Sequence, residues 1–424
     1  VNKPMVTNIL KVISFTILFG ALAVLSYYLG VSGFLISLAI IFGAILIGFG
    51  ADMLEMVLPS GVAIAVVALL QISPEFFVEW ATVKRAAAEP EFVHNAMANL
   101  YGANKLLVGF GPPLVFFVYY FFSKFKKSEN IVFHEIKSYS IFVMIFAVAY
   151  NFVLYLKNSL MWYDSIFLVI IYAASISFIG KMEIKYQSVN KDKDNDELKD
   201  SEHGLVMRNV HAMCRRHGVL VPARVYLFTL LFLFLGGGLL VGFAEPFLEC
   251  LLHAATVAGI STFFFIGYVA PFMSEFPEKI VAIGFAMKGR EDTAMVNFLS
   301  SILSQLTLLT AMVPAVYSYY KGELTGITFD AVQSHELLLV IAMMLFSLMM
   351  FLDLKFTVRE SILALGLFIW QFIFPESRST VTAVYFVIFL SYLLEMFLEK
   401  RHTEVLRVIG ESLAKPAGTN GKES

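Results

Sequence analysis

The sequence predicts an all-α polytopic membrane protein, built as an inverted-topology repeat of about 5+5 transmembrane helices with an extra helix at each end. Three observations carry that prediction. Of the 424 residues, 58% are hydrophobic and 15% charged, with a mean hydropathy of +0.77; soluble domains hold roughly 45–50% apolar residues. The apolar residues gather into runs that reach the roughly 18–20 residues needed to cross a bilayer. Two distant segments, around Pro74 and around Pro277, repeat one order of features. A β-barrel is excluded, because its strands alternate apolar and polar residues, and these runs are continuously apolar.

Twelve candidate spans follow in order: 9–29, 33–54, 57–82, 94–122, 137–156, 162–181, 223–247, 252–285, 293–318, 334–353, 356–374 and 380–398. No small-residue cleavage site follows the first run, so it is read as a retained span. Runs well beyond twenty residues, such as 94–122 and 252–285, are read as tilted or broken helices. Segment 182–222 is the longest polar stretch, and its "KDKDNDELKDSEHG" is charge-dense and poor in aromatics, as flexible linkers are. The chain thus divides into an extra N-terminal helix (1–32), a first repeat half (33–181), a linker (182–222), a second repeat half (223–374), and an extra C-terminal helix with a polar tail (375–424).

Lys and Arg placement sets the expected orientation. With the N-terminus inside, the inside loops collect "SKFKKSEN", the linker, "AMKGRED", "LKFTVRE" and "EKRHTEVLR". The outside loops carry far fewer: Lys84, Arg85, Lys157, Lys321 and Arg378. Both termini and the linker are expected in the cytoplasm, and the host bilayer is expected to be the cell membrane. A net charge of −2 gives no electrostatic case for nucleic acid. Cys214 and Cys250 make no disulfide framework.

The repeated segments hold the candidate chemistry. The first reads "ISPEFFVEW", then a basic turn, then "NAMANLYGANKLL". The second reads "APFMSEFPEKIVAIGFAMKGREDTAMVNFLSSILSQL". Each runs from an apolar helix to Pro-Glu, through a charged turn, into a helix with Asn and small residues. The equivalent helices stand five places apart in the order of spans, an odd offset, so the second unit enters from the opposite face, as in many secondary transporters. An isolated carboxylate near the bilayer centre costs at least about 2.5–3.5 kcal/mol on insertion scales, so Glu75 and Glu278 need a reason to be there. Solvation by headgroups at a span end is one reason. The matching pair argues for the other, cation binding. Proline frees backbone carbonyls as oxygen ligands beside each glutamate. Two carboxylates with several carbonyls suit Ca2+, which takes about six to eight oxygens; Mg2+ gives up its water reluctantly and fits less well.

These residues resemble a known family. "GADMLEMVLPSGVAIAVVALLQISPEFFVEW" and "NLYGANK" look like the first α-repeat of the cation/calcium exchanger superfamily, and the second segment resembles its second α-repeat, over about 50–120 and 245–318. The resemblance implies an antiporter, not an enzyme, without a cofactor, that exchanges Ca2+ or a similar divalent cation against Na+ or H+ by alternating access in the lipid bilayer. It implies Glu75 and Glu278 as the central ligands of transported Ca2+, and Gln71 and Ser274 as donors of backbone carbonyls. It places the small hydroxyl of the third helix at Ala103 and Ser301, and the polar residue four further on at Leu107 and Gln305. Asn99, Asn104 and Asn297 keep amide character nearby, so Asn99 and Asn297 join the candidate ion-binding set.

Departures from the pattern bear on the counter-ion. Sodium-coupled members carry serine where this chain has Ile72 and Glu275, and Ala103 and Leu107 offer no side-chain oxygen. Repeat one is therefore poor in neutral ligands for Na+, and repeat two gains a carboxylate. Closely spaced carboxylates cannot all ionise cheaply, which lets a proton substitute for a cation. The Asn-Ala/Val-x-Glu signature of calcium/proton exchangers is missing as well, and the coupling ion stays open between Na+ and H+.

Other charged residues weigh less. Glu79, one turn after Glu75, either extends the ion path or, as is commoner, is a solvated charge at the outer mouth. Asp52, Glu55, Glu245 and Glu249 are read as interfacial. Lys105 and Lys279 are expected to snorkel to an interface, the alternative being tethers for carboxylates. His211, Cys214 and His217 are too few for a zinc site, and their basic, amphipathic segment suits anionic headgroups better. "KDKDNDELKD" lacks the glycine and closing glutamate of an EF-hand loop. No phosphate-binding Gly-rich loop is present, which disfavours ATP-driven pumping. A cation channel or a non-transporting scaffold is the rival class, though no filter-forming re-entrant signature is visible.

Overall fold

Apolar runs punctuated by Gly, Pro and short polar turns become long helices joined by tight connections. The computed structural model describes residues 30–51, 53–54, 70, 72–122, 130–133, 138–189, 223–399 and 404–414. The span expected at 9–29, most of 57–82, the linker core with its His211, Cys214 and His217, and Asp52, Glu55 and Gln71 lie outside those residues. In chain order the helices are α1 Gly30–Ala51, α2 Ser73–Ala88, α3 Val93–Gly109, α4 Gly111–Phe122, α5 Ser138–Lys157, α6 Trp162–Val189 and α7 Ala223–Ala258. They continue as α8 Thr262–Ser274, α9 Phe276–Met287, α10 Glu291–Ser304, α11 Thr310–Lys321, α12 Ala331–Phe351, α13 Val358–Ile373, α14 Arg378–Glu399 and α15 Glu404–Ala414. Among the described residues, eight helical segments are long and apolar enough to cross a bilayer. The protein is an integral multi-pass membrane protein.

Several boundaries differ from the sequence expectation, each for a local reason. The run 94–122 is two helices, interrupted at Phe110 ahead of Gly111-Pro112-Pro113. The spans expected at 223–247 and 252–285 are divided elsewhere: α7 continues through Pro246 to Ala258, and the chain turns at Gly259, whose φ of +65° suits glycine. Ser261 then caps α8 through a bond from the Phe264 N–H. The tail carries a further amphipathic helix, α15, anchored by Val405 N–H to the Leu352 carbonyl at 3.0 Å.

Four short strands report the relation between the repeats. β1 (Asn130–Val132) pairs antiparallel with β4 (Lys355–Thr357), and β2 (Ser159–Met161) with β3 (Gly326–Thr328). β1 follows the third helical unit of its half and β4 the fourth; β2 follows the fourth and β3 the third. Each connector therefore pairs with the other kind of connector from the other half. A two-fold axis relating the halves exchanges the two ribbons.

The core divides in two. The larger cluster draws on α2–α15, with Phe116, Phe298, Phe346, Phe351 and Phe356 fully buried. In a separate cluster α1 and α7 bring Ile40, Ile47, Leu240 and Leu251 against Val78 of α2 and Phe265, Ala270 and Met273 of α8. α1 and α7 cross closely at Gly43 and Gly236, where a Cβ on Gly236 would lie 2.7 Å from the Gly43 carbonyl oxygen. Small residues at crossings are the usual means of packing helices in lipid, where no hydrophobic drive holds them together. Outward faces, such as Phe228, Leu231 and Phe234 of α7, are exposed hydrophobics suited to acyl chains.

One ionic contact ties α14 to the core. Lys105 of α3 donates to Glu336 of α12 at 2.6 Å, and Arg378 of α14 approaches the other Glu336 oxygen at 2.8 Å. Lys105 and Glu336 are almost fully buried. Breaking such a pair from one side leaves an uncompensated buried charge and costs about 3–5 kcal/mol. Glu336→Ala is therefore expected to lower the melting temperature of the purified protein sharply. Lys105→Met with Glu336→Met is expected to recover most of that loss; equal damage in single and double variants would contradict it.

Candidate functional site

Each repeat sets a glutamate just past a helix break. Pro74 has no N–H to offer the Leu70 carbonyl, and the Ser73 hydroxyl takes that acceptor at 2.7 Å. α2 starts there, with Glu75 in its first turn. In the other repeat α8 ends at Ser274, Glu275 spans the break with φ −88° and ψ 0°, and α9 opens with Glu278 in its first turn. An anionic side chain at a helix start is favoured by the peptide dipoles that converge there.

α10 presents a polar stripe to this region. Asn297, Ser301 and Gln305 stand four apart and share one face. Glu278, partly buried, accepts from the Ser301 hydroxyl and from Asn297 Nδ2 at 3.3 Å. Glu275, fully buried, accepts from Lys279 Nζ at 2.5 Å and from Gln305 Nε2 at 2.9 Å. Gln305 begins a single π-helical turn, Gln305–Leu309. Its backbone is satisfied from the side: Asn151 Nδ2 donates to the Leu306 carbonyl at 3.1 Å and the Thr310 hydroxyl to the Gln305 carbonyl at 2.9 Å. Such turns recur at functional sites because they re-aim a side chain without ending the helix.

Glu75 is 5% exposed, and no donor among the described residues reaches its Oε2. It lies within electrostatic reach of Glu275, Glu278 and Lys279. Lys279 pairs with Glu275, which leaves Glu75 and Glu278 as two buried or half-buried carboxyl groups, one from each repeat, with no cationic side chain bonded to either among the described residues.

The remaining candidates divide. Ser274 is buried at the break, with its hydroxyl donating to the Pro271 carbonyl at 3.3 Å. Gln71 lies outside the described residues. Asn104 is spent within its own helix on the Leu100 carbonyl. Ala103 and Leu107 are buried apolar groups where repeat two has Ser301 and Gln305. Asn99, the counterpart of Asn297, bonds to Glu79 at 2.5 Å and not to Glu75.

Two sequence expectations are overturned. Glu79 is not a solvated charge at the mouth: it is fully buried on the inward face of α2, where its place one turn from Glu75 was the available signal. Lys105 and Lys279 do not snorkel. Each is 3% exposed and held by a buried carboxylate, Glu336 and Glu275 respectively. Glu336 itself was missed; its signal was a lone acid opening the apolar run "SHELLLVIAMM". Glu245 and Glu249 are exposed and pair with Lys84 and Arg85, as boundary charges do.

Residues 6–181 and 228–375 match the family model described as sodium/calcium exchanger protein. The chain belongs to that family. The two matched segments flank the polar stretch 182–222, and the sodium/calcium exchanger family is one of transporters, not enzymes. Among solved structures this exchanger is similar to the H+/Ca2+ exchanger CAX, with 31% identity over 89% of each chain and a TM-score of 0.78. It also shares the fold of the sodium-calcium exchanger NCX_Mj, with a TM-score of 0.52 and 17% identity over 82% of this chain and 98% of that one. No curated protein sequence matches it.

Proposed function

We propose that this exchanger moves Ca2+ against H+ by alternating access, with Glu75 and Glu278 as the calcium ligands. The observation that carries the reading is the charge count at the two helix breaks. Glu275 is matched by Lys279, so two carboxylates from opposite repeats await two positive charges. Ser301 and Asn297 orient Glu278, Gln305 orients Glu275, and the backbone carbonyl at Ser274 supplies a further hard oxygen, the ligand type Ca2+ prefers.

Two facts favour H+ over Na+ as counter-ion. The positions that would give neutral oxygens to Na+ hold Ile72, Ala103 and Leu107, and the likeness to CAX exceeds that to NCX_Mj. The repeat halves are proposed as 33–181 and 223–374. Both termini and the linker lie in the cytoplasm of a cell-membrane protein that extrudes calcium down an inward proton gradient.

The test is radiolabelled Ca2+ uptake into proteoliposomes with a pH gradient or a Na+ gradient imposed separately. Uptake driven by the pH gradient alone is the expected result. Uptake driven only by Na+ reverses the counter-ion assignment, and an ohmic Ca2+ current without counterflow would indicate the channel alternative.

A further inference from the structure

Glu79 and Asn99 form a buried polar pair that the calcium site leaves unused. Glu79 is fully buried, and its hydrogen-bond partner is Asn99. The cations nearest in sequence or fold are engaged elsewhere. Lys84 and Arg85, further along α2, turn outward to Glu245 and Glu249 of α7. Lys105 of α3 is held by Glu336, and Lys279 of α9 by Glu275. Of the other elements packed against α2, α3 also brings Tyr101 into electrostatic reach of Glu79, α8 carries Tyr268 against Lys105, and α11 carries Tyr320 against Trp80. None of these supplies a positive charge to Glu79.

The hydrogen-bond geometry says what would. Asn99 Nδ2 donates to Glu79 Oε2 at 2.5 Å. Glu79 Oε1 and Asn99 Oδ1 are both buried and meet no donor among the described residues. With Glu79 ionised, two acceptor oxygens of adjoining side chains stand unmatched beside an uncompensated charge, a costly arrangement away from water. A proton on Oε1 would give the acid an O–H to donate, and Asn99 Oδ1 is the unmatched acceptor on the adjoining side chain. The carboxylic acid and the amide are then complementary in donors and acceptors, which the carboxylate and the amide are not.

We infer that Glu79 is a proton-carrying site of the exchange cycle, with Asn99 as its hydrogen-bonding partner, separate from the Glu75–Glu278 calcium site. The carboxylate takes one proton from the acidic side and releases it on the other. Ca2+ meanwhile trades places with protons at the central pair. Glu79 thus adds one proton per Ca2+ and makes the exchange electrogenic. The transport part of this inference rests on the proton-coupled reading above; the protonation of Glu79 does not.

Two measurements on the full-length protein test it. In infrared spectra of the wild type, a protonated buried carboxyl carbonyl band that shifts in D2O is expected, and Glu79→Gln is expected to remove it. Gln preserves the shape of the protonated acid and can bond with Asn99, so the variant should fold. In proteoliposomes with a pH gradient, an imposed membrane potential is expected to change the steady-state Ca2+ accumulation ratio of the wild type about tenfold per 60 mV, as transfer of one net charge requires. Glu79→Gln is expected to bind Ca2+ within about twofold of wild type, on a scale where tenfold is 1.4 kcal/mol. It should still exchange, with the potential dependence lost.

Equal potential dependence in both proteins would overturn the proton-carrying role, and loss of Ca2+ binding in Glu79→Gln would make Glu79 a calcium ligand instead. If no pH gradient drives the wild type, the coupling reading fails while the infrared band still decides Glu79. Absence of that band overturns the inference outright.

Discussion

Glu278→Gln is expected to abolish calcium binding as well as exchange. The substitution keeps the shape that Ser301 and Asn297 grip but removes one of the two charges left after Lys279 has neutralised Glu275. A divalent ion then faces a single carboxylate in a low-dielectric site, and affinity should fall at least about a hundredfold, or roughly 2.8 kcal/mol. Glu75→Gln should do the same. Ser301→Ala should weaken binding by only about tenfold, because it loosens one ligand without removing charge. Equilibrium binding of labelled Ca2+ to the purified protein measures all three. Wild-type affinity in either glutamine variant would remove that residue from the site.

Gly102→Ala is expected to be the most damaging single methyl in the molecule. Gly102 of α3 crosses Gly267 of α8, and a Cβ there would lie 1.5 Å from the Gly267 carbonyl oxygen. That carbonyl is turned toward α3 at a place where its own helix offers no N–H, because Pro271 stands four residues on. The contact is backbone to backbone, so no flexible side chain can yield. The helices must part, and the crossing that holds Asn99 and the α8–α9 break in one frame is lost. Destabilisation beyond about 4 kcal/mol follows, to be read as loss of the monodisperse, cooperatively melting species. Gly284→Ala is the control: nothing lies within 4 Å of its new Cβ, so helix propensity alone should leave it neutral or slightly more stable. A Gly102→Ala protein as stable as wild type would contradict the described crossing.

Much of the fold was legible because lipid imposes one rule, that a spanning backbone must satisfy itself. Run length, the charged turns and the paired Pro-Glu motifs therefore gave membrane class and repeat. What stayed illegible depended on partners distant in sequence. Glu336 beside Lys105, and Lys279 beside Glu275, convert residues that read as interfacial into buried pairs. Asn99 and Asn297 occupy matching places, yet one grips Glu79 and the other Glu278; only the packing of α2 against α3 decides that. The four strands were invisible for a related reason, since three residues carry no periodicity and acquire strand geometry only from the partner half.

The exchanged ribbons also bear on direction. A two-fold operation that swaps the halves turns an access path on one face of the bilayer into its equivalent on the other. Were the halves chemically identical, the ion would leave both faces with equal ease and the carrier would have no preferred sense. Here the scaffold is close to symmetric and the chemistry is not: Ser301 and Gln305 face Ala103 and Leu107 across the axis, and the Glu275–Lys279 pair has no counterpart at Ile72 and Phe76. The protein is built like a valve with a symmetric housing and a lopsided seat, and its two release steps should differ in rate even with equal ion concentrations on both sides.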